Sequence, residues 1–267
     1  MSAISFIHLT DTHFLPESGD DLHGIDPARN LRRVIARVRE MAVTPACVII
    51  SGDLSNAGDP ASYQHFKMAL TEIQEAFGVP MLLGLGNHDR RLPFRQIILG
   101  EPDAHDETAR YHYSQRIGDL RIIVLDSLIP GEIHGEIGAA QLAWLAEELH
   151  NPAPGGDLIV LHHPVLPRGL PRAQDYLLAD AAAFGALLAK HRILGVLAGH
   201  SHVVSAAPFA GTLAITAPAA GFFFDPGTTD GLRLLDGAGF NLCTIRDGTL
   251  IVNPIILPGM QEERHRI

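Results

Sequence analysis

The sequence predicts an α/β fold in which strand-length apolar runs alternate with amphipathic helices. Three observations support this. Five short apolar runs each end in a cluster of Asp, Asn or His. Helical stretches lie between them. After His202 the alternation gives way to consecutive strand-like segments separated by turn signals.

The elements follow in order. Residues 4–9 run into Thr10-Asp11-Thr12-His13, and residues 46–50 into Ser51-Gly52-Asp53. Residues 80–85 run into Gly86-Asn87-His88-Asp89, residues 157–161 into His162-His163-Pro164, and residues 193–198 into Gly199-His200-Ser201-His202. Amphipathic stretches at about 27–41, 60–77, 138–149 and 181–191 read as helices, with Asp26, Asp59 and Asp180 standing where N-caps are expected. Such alternation implies a buried sheet with helices outside, and ligands bind beyond the carboxyl ends of its strands. Residues 203–217, 239–245 and 250–256 read as strands with turns at Ala210-Gly211 and Asp247-Gly248, suggesting a second sheet with antiparallel pairing. No Gly-, Ser- or Pro-rich linker interrupts the chain, so one domain is expected over 1–267, with strands of about 203–256 completing the second sheet.

Composition excludes several classes. A chain of 267 residues with 46% hydrophobic and 19% charged residues is an ordinary globular protein. A net charge of -10 argues against a protein that coats nucleic acid. Arg90, Arg91 and Arg95 are the cations nearest the clusters and read as solvated helix residues. Residues 203–224 carry no charge, but Pro208, Gly211, Pro218 and Gly221 divide them into pieces too short to span a membrane. The N-terminus has neither a basic start nor a cleavage-site pattern, and the two cysteines, Cys47 and Cys243, read as buried thiols. A cytoplasmic location is therefore expected.

The five clusters supply carboxylate, amide oxygen and imidazole, the donors that hard and borderline divalent metals prefer. Asp11 and His13 are two apart, as are His200 and His202, so on extended backbone each pair faces one side. Asp53 is suited to bridge two ions through its two oxygens, Asn87 offers a neutral oxygen, and His162 another imidazole. Two carboxylates against two divalent ions leave the site positive and attractive to a phosphate ester. Ions about 3.5–4 Å apart can lower the pKa of a bridging water to about 7 and clamp the attacking and leaving oxygens. Successive strand residues face opposite ways, so His163 reads as a support or pocket wall beside His162. His23, in the loop after the first run, is a candidate substrate contact, with an ordinary surface loop the alternative. The remaining histidines, His8 among them, read as solvated or core-edge residues. The run Phe222-Phe223-Phe224 fits a pocket wall, an oligomer contact or core equally well.

The series Asp11-x-His13, Gly52-Asp53, Gly86-Asn87-His88-Asp89, His162 and Gly199-His200-x-His202 resembles the calcineurin-like metallophosphoesterase superfamily from Ile4 to His202. Within it, the chain is most similar to the bacterial class III cyclic-nucleotide phosphodiesterases and the glycerophosphodiesterases. Their ending is matched by a Gly-rich stretch at 236–239 before a final strand pair at 240–256. The resemblance implies a four-layer α/β-β/α sandwich of two packed mixed sheets flanked by helices. It also implies that Asp11, His13, Asp53 and His202 hold one metal, and Asp53, Asn87, His162 and His200 the other. His88 would then donate a hydrogen bond or proton to the phosphoryl group or its leaving oxygen. One position departs from the wider pattern. Where many relatives carry an acidic residue that orients the equivalent of His88, this chain has Asn56, a further candidate at the substrate.

The expected function is hydrolysis of small phosphodiesters by a metal-bridging hydroxide, with 3′,5′-cyclic nucleotides favoured. A glycerophosphodiesterase or a broad phosphomonoesterase on the same site is the alternative. Mn or Fe are the expected ions, and Zn or Co are tolerated by the same donors. A non-catalytic scaffold should have lost ligands, and none is missing. Gly199-His200-Ser201-His202-Val203 lacks the second Gly of a serine nucleophile elbow. Substrate selection falls to the loops at 16–24, 90–110 and 167–175, none of which has the Lys and Arg density a nucleic acid needs. Similar enzymes associate through their final strands, so a homo-oligomer using the apolar stretch 206–224 is expected.

Overall fold

The computed structural model describes residues 3–167, 176–227, 233–257 and 262–266. The chain begins with β1 (Ile4–Leu9), α1 (Pro27–Glu40), β2 (Val48–Ser51), α2 (Pro60–Phe77), β3 (Met81–Gly84) and α3 (Arg91–Ile97). Next come β4 (Tyr113–Ile117), β5 (Leu120–Val124), α4 (Ala139–His150), β6 (Asp157–Val160), α5 (Ala181–Leu188) and β7 (Ile193–Ala198). The last segments are β8 (Ser205–Phe209), β9 (Thr212–Thr216), β10 (Phe223–Phe224), β11 (Arg233–Asp236), β12 (Gly239–Arg246), β13 (Thr249–Ile256) and β14 (Glu262–Arg266).

Local chemistry explains where the long helices start. Asp26 accepts the Arg29 N–H at 2.8 Å, Asp59 accepts the Ser62 N–H at 3.0 Å, and a proline follows each cap. Asp180 behaves differently. Its carboxylate accepts the Ile137 and Gly138 N–H groups at 3.0 and 2.8 Å, so it anchors the entry to α4 rather than capping its own helix. Elements β4, β5, β10, β11 and β14 go beyond the sequence reading. The strand β5 is wholly buried between β4 and β6, so its sheet partners decide its conformation.

The sheet order β13-β12-β1-β2-β3 has β1, β2 and β3 parallel, with β12 antiparallel to β1. The second order is β4-β5-β6-β7-β9-β8, with β5, β6, β7 and β9 parallel. The strands β10, β11 and β14 form a small separate sheet. The C-terminal strands are thus divided. The pair β8 and β9 extends the second sheet, whereas β12 and β13 extend the first, which corrects the expectation that all of 203–256 completes one sheet. Residues 203–224 form β8, β9 and β10, and among the described residues no helix is long and apolar enough to cross a membrane.

Period-two alternation assigns the layers. Phe6, Ile49 and Leu82 of the first sheet meet Ile122, Val124, Leu158, Val160 and Leu197 of the second in one buried core. Their neighbours Ile7, Val48, Ile50 and Leu83 face α1 and α2 instead. Ile123, Ile159 and Val196 face α4 and α5. The result is helices, sheet, sheet, helices: the four-layer sandwich. Full burial of each such side chain contributes about 1.5–3 kcal/mol. Cys47 and Cys243 lie unbridged in the inter-sheet core, where burial raises both thiol pKa values, that of Cys47 to about 12.

Candidate metal centre

The carboxyl ends of β1, β2, β3, β6 and β7 meet at one edge of the sandwich. There the backbone is unusual. Asp11, His13, Asp53, His200 and His202 all have positive φ, between 44° and 67°. Non-glycine residues adopt that region at a cost of order 1 kcal/mol each, and such strain concentrates at functional sites. Backbone bonds from Asp11 N to Gly52 O (3.0 Å) and from His13 N to Asp53 O (2.9 Å) hold the turns. The two-residue spacing therefore works through left-handed turns beyond the strand, not through extended backbone. Two glycines permit the close approach. A Cβ on Gly52 would lie 2.6 Å from His162 Nδ1, and one on Gly86 would collide with Asp53 Oδ1.

Three imidazoles are held in the tautomer that a metal requires. His13 Nδ1 meets Asn56 Oδ1 at 3.2 Å, His202 Nδ1 meets Phe222 O at 2.7 Å, and His162 Nδ1 meets Ser51 O at 3.0 Å. Each partner is an oxygen acceptor, so Nδ1 keeps a proton and Nε2 is the atom left for a metal; His13 presents it as a bare lone pair, whereas on His162 the Asp53 carboxylate holds a second proton that a metal must displace. Those Nε2 atoms converge. His13 Nε2 and His202 Nε2 are 3.0 Å apart, and His202 Nε2 lies 3.3 Å from Asp11 Oδ1. His162 Nε2 lies 3.3 Å from both Asp53 Oδ2 and Asn87 Oδ1, and the same Asp53 oxygen is 3.6 Å from His13 Nε2. Facing lone pairs repel unless a cation lies between them. Two nitrogens each about 2.1 Å from an ion and at right angles would be about 3.0 Å apart, so the donor set fits a metal.

Asp11, His13, Asp53 and His202 form one group of converging ligand atoms. The Asp53 Oδ2 atom also faces His162, whose Nε2 meets Asn87, so this carboxylate touches both halves of the donor set as a bridging ligand must. The His200 N–H donates to both oxygens of Asp11, at 3.1 and 2.9 Å, and its ring centroid is 5.1 Å from that of His162. His163 also comes close to His162 and His200, but its nitrogens are committed. Nε2 donates to Ile133 O at 3.1 Å, and Nδ1 accepts from Ser127 Oγ at 2.7 Å. Fully buried, it has no nitrogen for a metal or a substrate, which removes it from the candidate substrate contacts.

Burial governs the charges. It pushes the His13 and His200 pKa values down to about 3, leaving neutral rings able to act as ligands. Burial also opposes charge on His162, but the Asp53 carboxylate outweighs it and raises the group to about 9. Burial likewise disfavours ionised Asp11 and Asp53, but the surrounding imidazoles hold both pKa values below the usual carboxylate range.

The surroundings of His88 differ from expectation. Its Nδ1 donates to the backbone carbonyl of Asn56 at 2.7 Å, while the Asn56 side chain serves His13. Asn56 thus orients both residues, one through each of its oxygens, and its side chain faces a metal ligand rather than a substrate. The His88 N–H donates to Asp53 Oδ1 at 2.9 Å, and its exposed ring meets His13 edge-on with centroids 4.8 Å apart. Asp89 accepts from Gly86 N, Leu54 N, Ser55 N and Tyr63 Oη, clamping this turn to the loop after β2. Burial, reinforced by Asp53, pushes the Asp89 carboxyl up to about 6. Ser51 and Phe222 act through carbonyls, which have no side-chain signature. Asp89 was visible within its motif.

Other candidates fall elsewhere. His23 stands on an exposed turn closed by Leu22 and Ile25. Arg91 is not solvated: it is 2% exposed and makes a bidentate pair with Asp126, at 2.7 and 3.0 Å. Arg95 pairs with Glu101 at 3.1 Å. His8 is fully buried against Ser51 Oγ at 2.9 Å rather than at a core edge. Of the loop at 167–175, residues 168–175 lie outside the described residues.

A two-sheet sandwich with carboxylates, an amide and imidazoles converging at its strand ends defines a metal-dependent phosphoester hydrolase. Residues 4–204 match the family model described as calcineurin-like phosphoesterase, and the chain belongs to that family, which uses a binuclear metal site. It is 35% identical over 257 residues to a cAMP/cGMP dual specificity phosphodiesterase of Mycobacterium tuberculosis, covering 95% of this chain and 79% of the relative. It is 28% identical over 201 residues to the 3′,5′-cyclic adenosine monophosphate phosphodiesterase CpdA of Escherichia coli K12, covering 74% and 70%. A dimetal phosphatase structure from Danio rerio superposes with a TM-score of 0.61 at 16% identity, covering 93% of this chain and 98% of that one, a likeness of fold.

Proposed function

We propose that this protein hydrolyses 3′,5′-cyclic nucleotides at a two-metal centre held by Asp11, His13, Asp53, Asn87, His162, His200 and His202. The observation that carries the proposal is the convergence of three Nε2 atoms, preset by oxygen acceptors on Nδ1, on the oxygens of Asp11, Asp53 and Asn87. Two divalent ions there would supply Lewis-acid polarisation of the phosphoryl group and lower the pKa of a coordinated water. Asp53 spans the two halves of the donor set and is steadied by the His88 N–H. With Nδ1–H committed to the Asn56 carbonyl, the imidazolium form of His88 would hold its second proton on Nε2, the atom that would pass it to the leaving oxygen and be left neutral. Names of relatives support a cyclic nucleotide over a glycerophosphodiester. Mn or Fe suit the mixed N and O donors. Free buried thiols support a reducing cytoplasm. His23 is proposed as a substrate contact. A homo-oligomer through the 206–224 face is supported by Leu213, which is 46% exposed, and a solely monomeric species in light scattering would remove it.

The test is kcat/KM on cyclic AMP, glycerophosphoethanolamine and p-nitrophenyl phosphate with Mn²⁺ present. Cyclic AMP should lead. A monoester preference of about tenfold or more over both diesters would overturn the diesterase assignment.

A further inference from the structure

A cavity of about 370 Å³ opens beside the metal centre, bordered by His202, Val204, Phe224 and Ile256, with Asp225 and Arg233 in its wall. That volume is within the range of small-ligand sites, about 300–1,000 Å³. The cavity shares His202 with the ligand set. The His202 ring packs on Phe222 and Phe224 at 4.3 and 4.7 Å between centroids, and its Nδ1 donates to the Phe222 carbonyl. The loop before the Phe run is tied to the turn after β1 by bonds from Ala220 N to Thr10 O (2.9 Å) and from Gly221 N to Asp11 O (3.0 Å). Behind it, Leu22 and Ile25 pack against Phe222, Phe224 and Leu234. The aromatic wall therefore stands in a fixed relation to the metal ligands.

We propose that this cavity is the subsite for the nucleobase of the substrate, which stacks on Phe224; this rests on the cyclic-nucleotide assignment above. The chemistry of the wall selects the occupant. Arg233 Nη1 donates to Asp225 Oδ2 at 2.9 Å, so the two charges compensate each other and the wall is close to neutral. Among the described residues of the wall, a second phosphate or the ammonium of glycerophosphoethanolamine would meet this compensated pair rather than a single opposite charge. An uncharged planar ring meets apolar and aromatic surface, and base–aromatic stacking contributes about 1–3 kcal/mol. The wall also explains the Phe222-Phe223-Phe224 run. Phe222 backs a metal ligand, while Phe223 and Phe224 border the cavity.

The experiment fills the cavity from two positions on its border. Ile256 and Val204 are 41% and 37% exposed at its border, so Ile256→Trp and Val204→Trp each add bulk without breaking a bond to a metal ligand. Adenosine, which lacks the phosphate, should bind the wild type by calorimetry with or without metal, and each variant about tenfold more weakly. Cyclic AMP should lose about tenfold in kcat/KM through KM, while glycerophosphoethanolamine changes by less than about twofold and metal content stays constant. Adenosine binding that is absent or unchanged in both variants, or an equal loss on both diesters, would overturn the subsite. A wild type that bound adenosine in this Trp-sensitive way yet cleaved no diester would overturn the phosphodiesterase assignment and leave the base site standing.

Discussion

Replacing Asn56 with Ala would remove the acceptor that holds the proton on His13 Nδ1, 3.2 Å away. The Nε2 lone pair of His13 would then no longer be preset toward the centre. A lost neutral hydrogen bond is worth about 0.5–1.5 kcal/mol, and loss of an outer partner of a metal-bound imidazole weakens metal affinity about 10–100-fold. The expected change is therefore about 1.4–2.7 kcal/mol in metal binding. His88 should be spared, because its Nδ1–H donates to the Asn56 backbone carbonyl, which Ala retains. Competition with a calibrated chelator measures the affinity, and turnover at saturating metal isolates His88. Asn56→Asp, which keeps an acceptor, should restore affinity. Unchanged metal affinity in Asn56→Ala with a fall in saturated kcat would refute the assignment and return the side chain to His88 or the substrate.

Asp53→Ala should lose both metals, since one oxygen faces His162 and His13 while the other accepts the His88 N–H; metal analysis still finding two ions per chain would contradict it. His88→Ala should keep both ions but slow turnover by about 10²–10⁴ on a diester with a poor leaving group, and unchanged kcat would exclude a proton-transfer role. His162 is raised from 6.5 to about 9 in the metal-free protein, so across that window a metal must displace a proton. Affinity should rise with pH toward about 9, with proton release read as buffer-dependent binding heat. The same raised pKa stabilises the metal-free fold below pH 6.5, and that contribution is lost as pH rises through about 9, so the urea midpoint should fall there. Arg91→Met leaves Asp126 buried without its bidentate partner and should destabilise the fold by about 3–5 kcal/mol in urea unfolding; a change under about 1 kcal/mol would refute this.

The amino-acid sequence alone determined the strand–helix alternation, the two long capped helices and the identities of the converging donors. Those properties are local. An apolar run of strand length, an Asp before Pro-initiated helices, and a polar cluster at a strand end each depend on a few neighbouring residues. The tertiary structure decided the rest. It placed β12 and β13 beside β1 while β8 and β9 went to the other sheet, a matter of which edge remained open after the parallel strands formed. It turned the spacing of Asp11 and His13 into left-handed turns pinned to the β2 loop. It gave the Asn56 side chain to His13 and its carbonyl to His88, and it withdrew His163 into bonds with Ser127 and Ile133. Backbone carbonyls carry no residue identity, and their partners come from distant segments. Which imidazole nitrogen keeps its proton is therefore settled only when those segments meet.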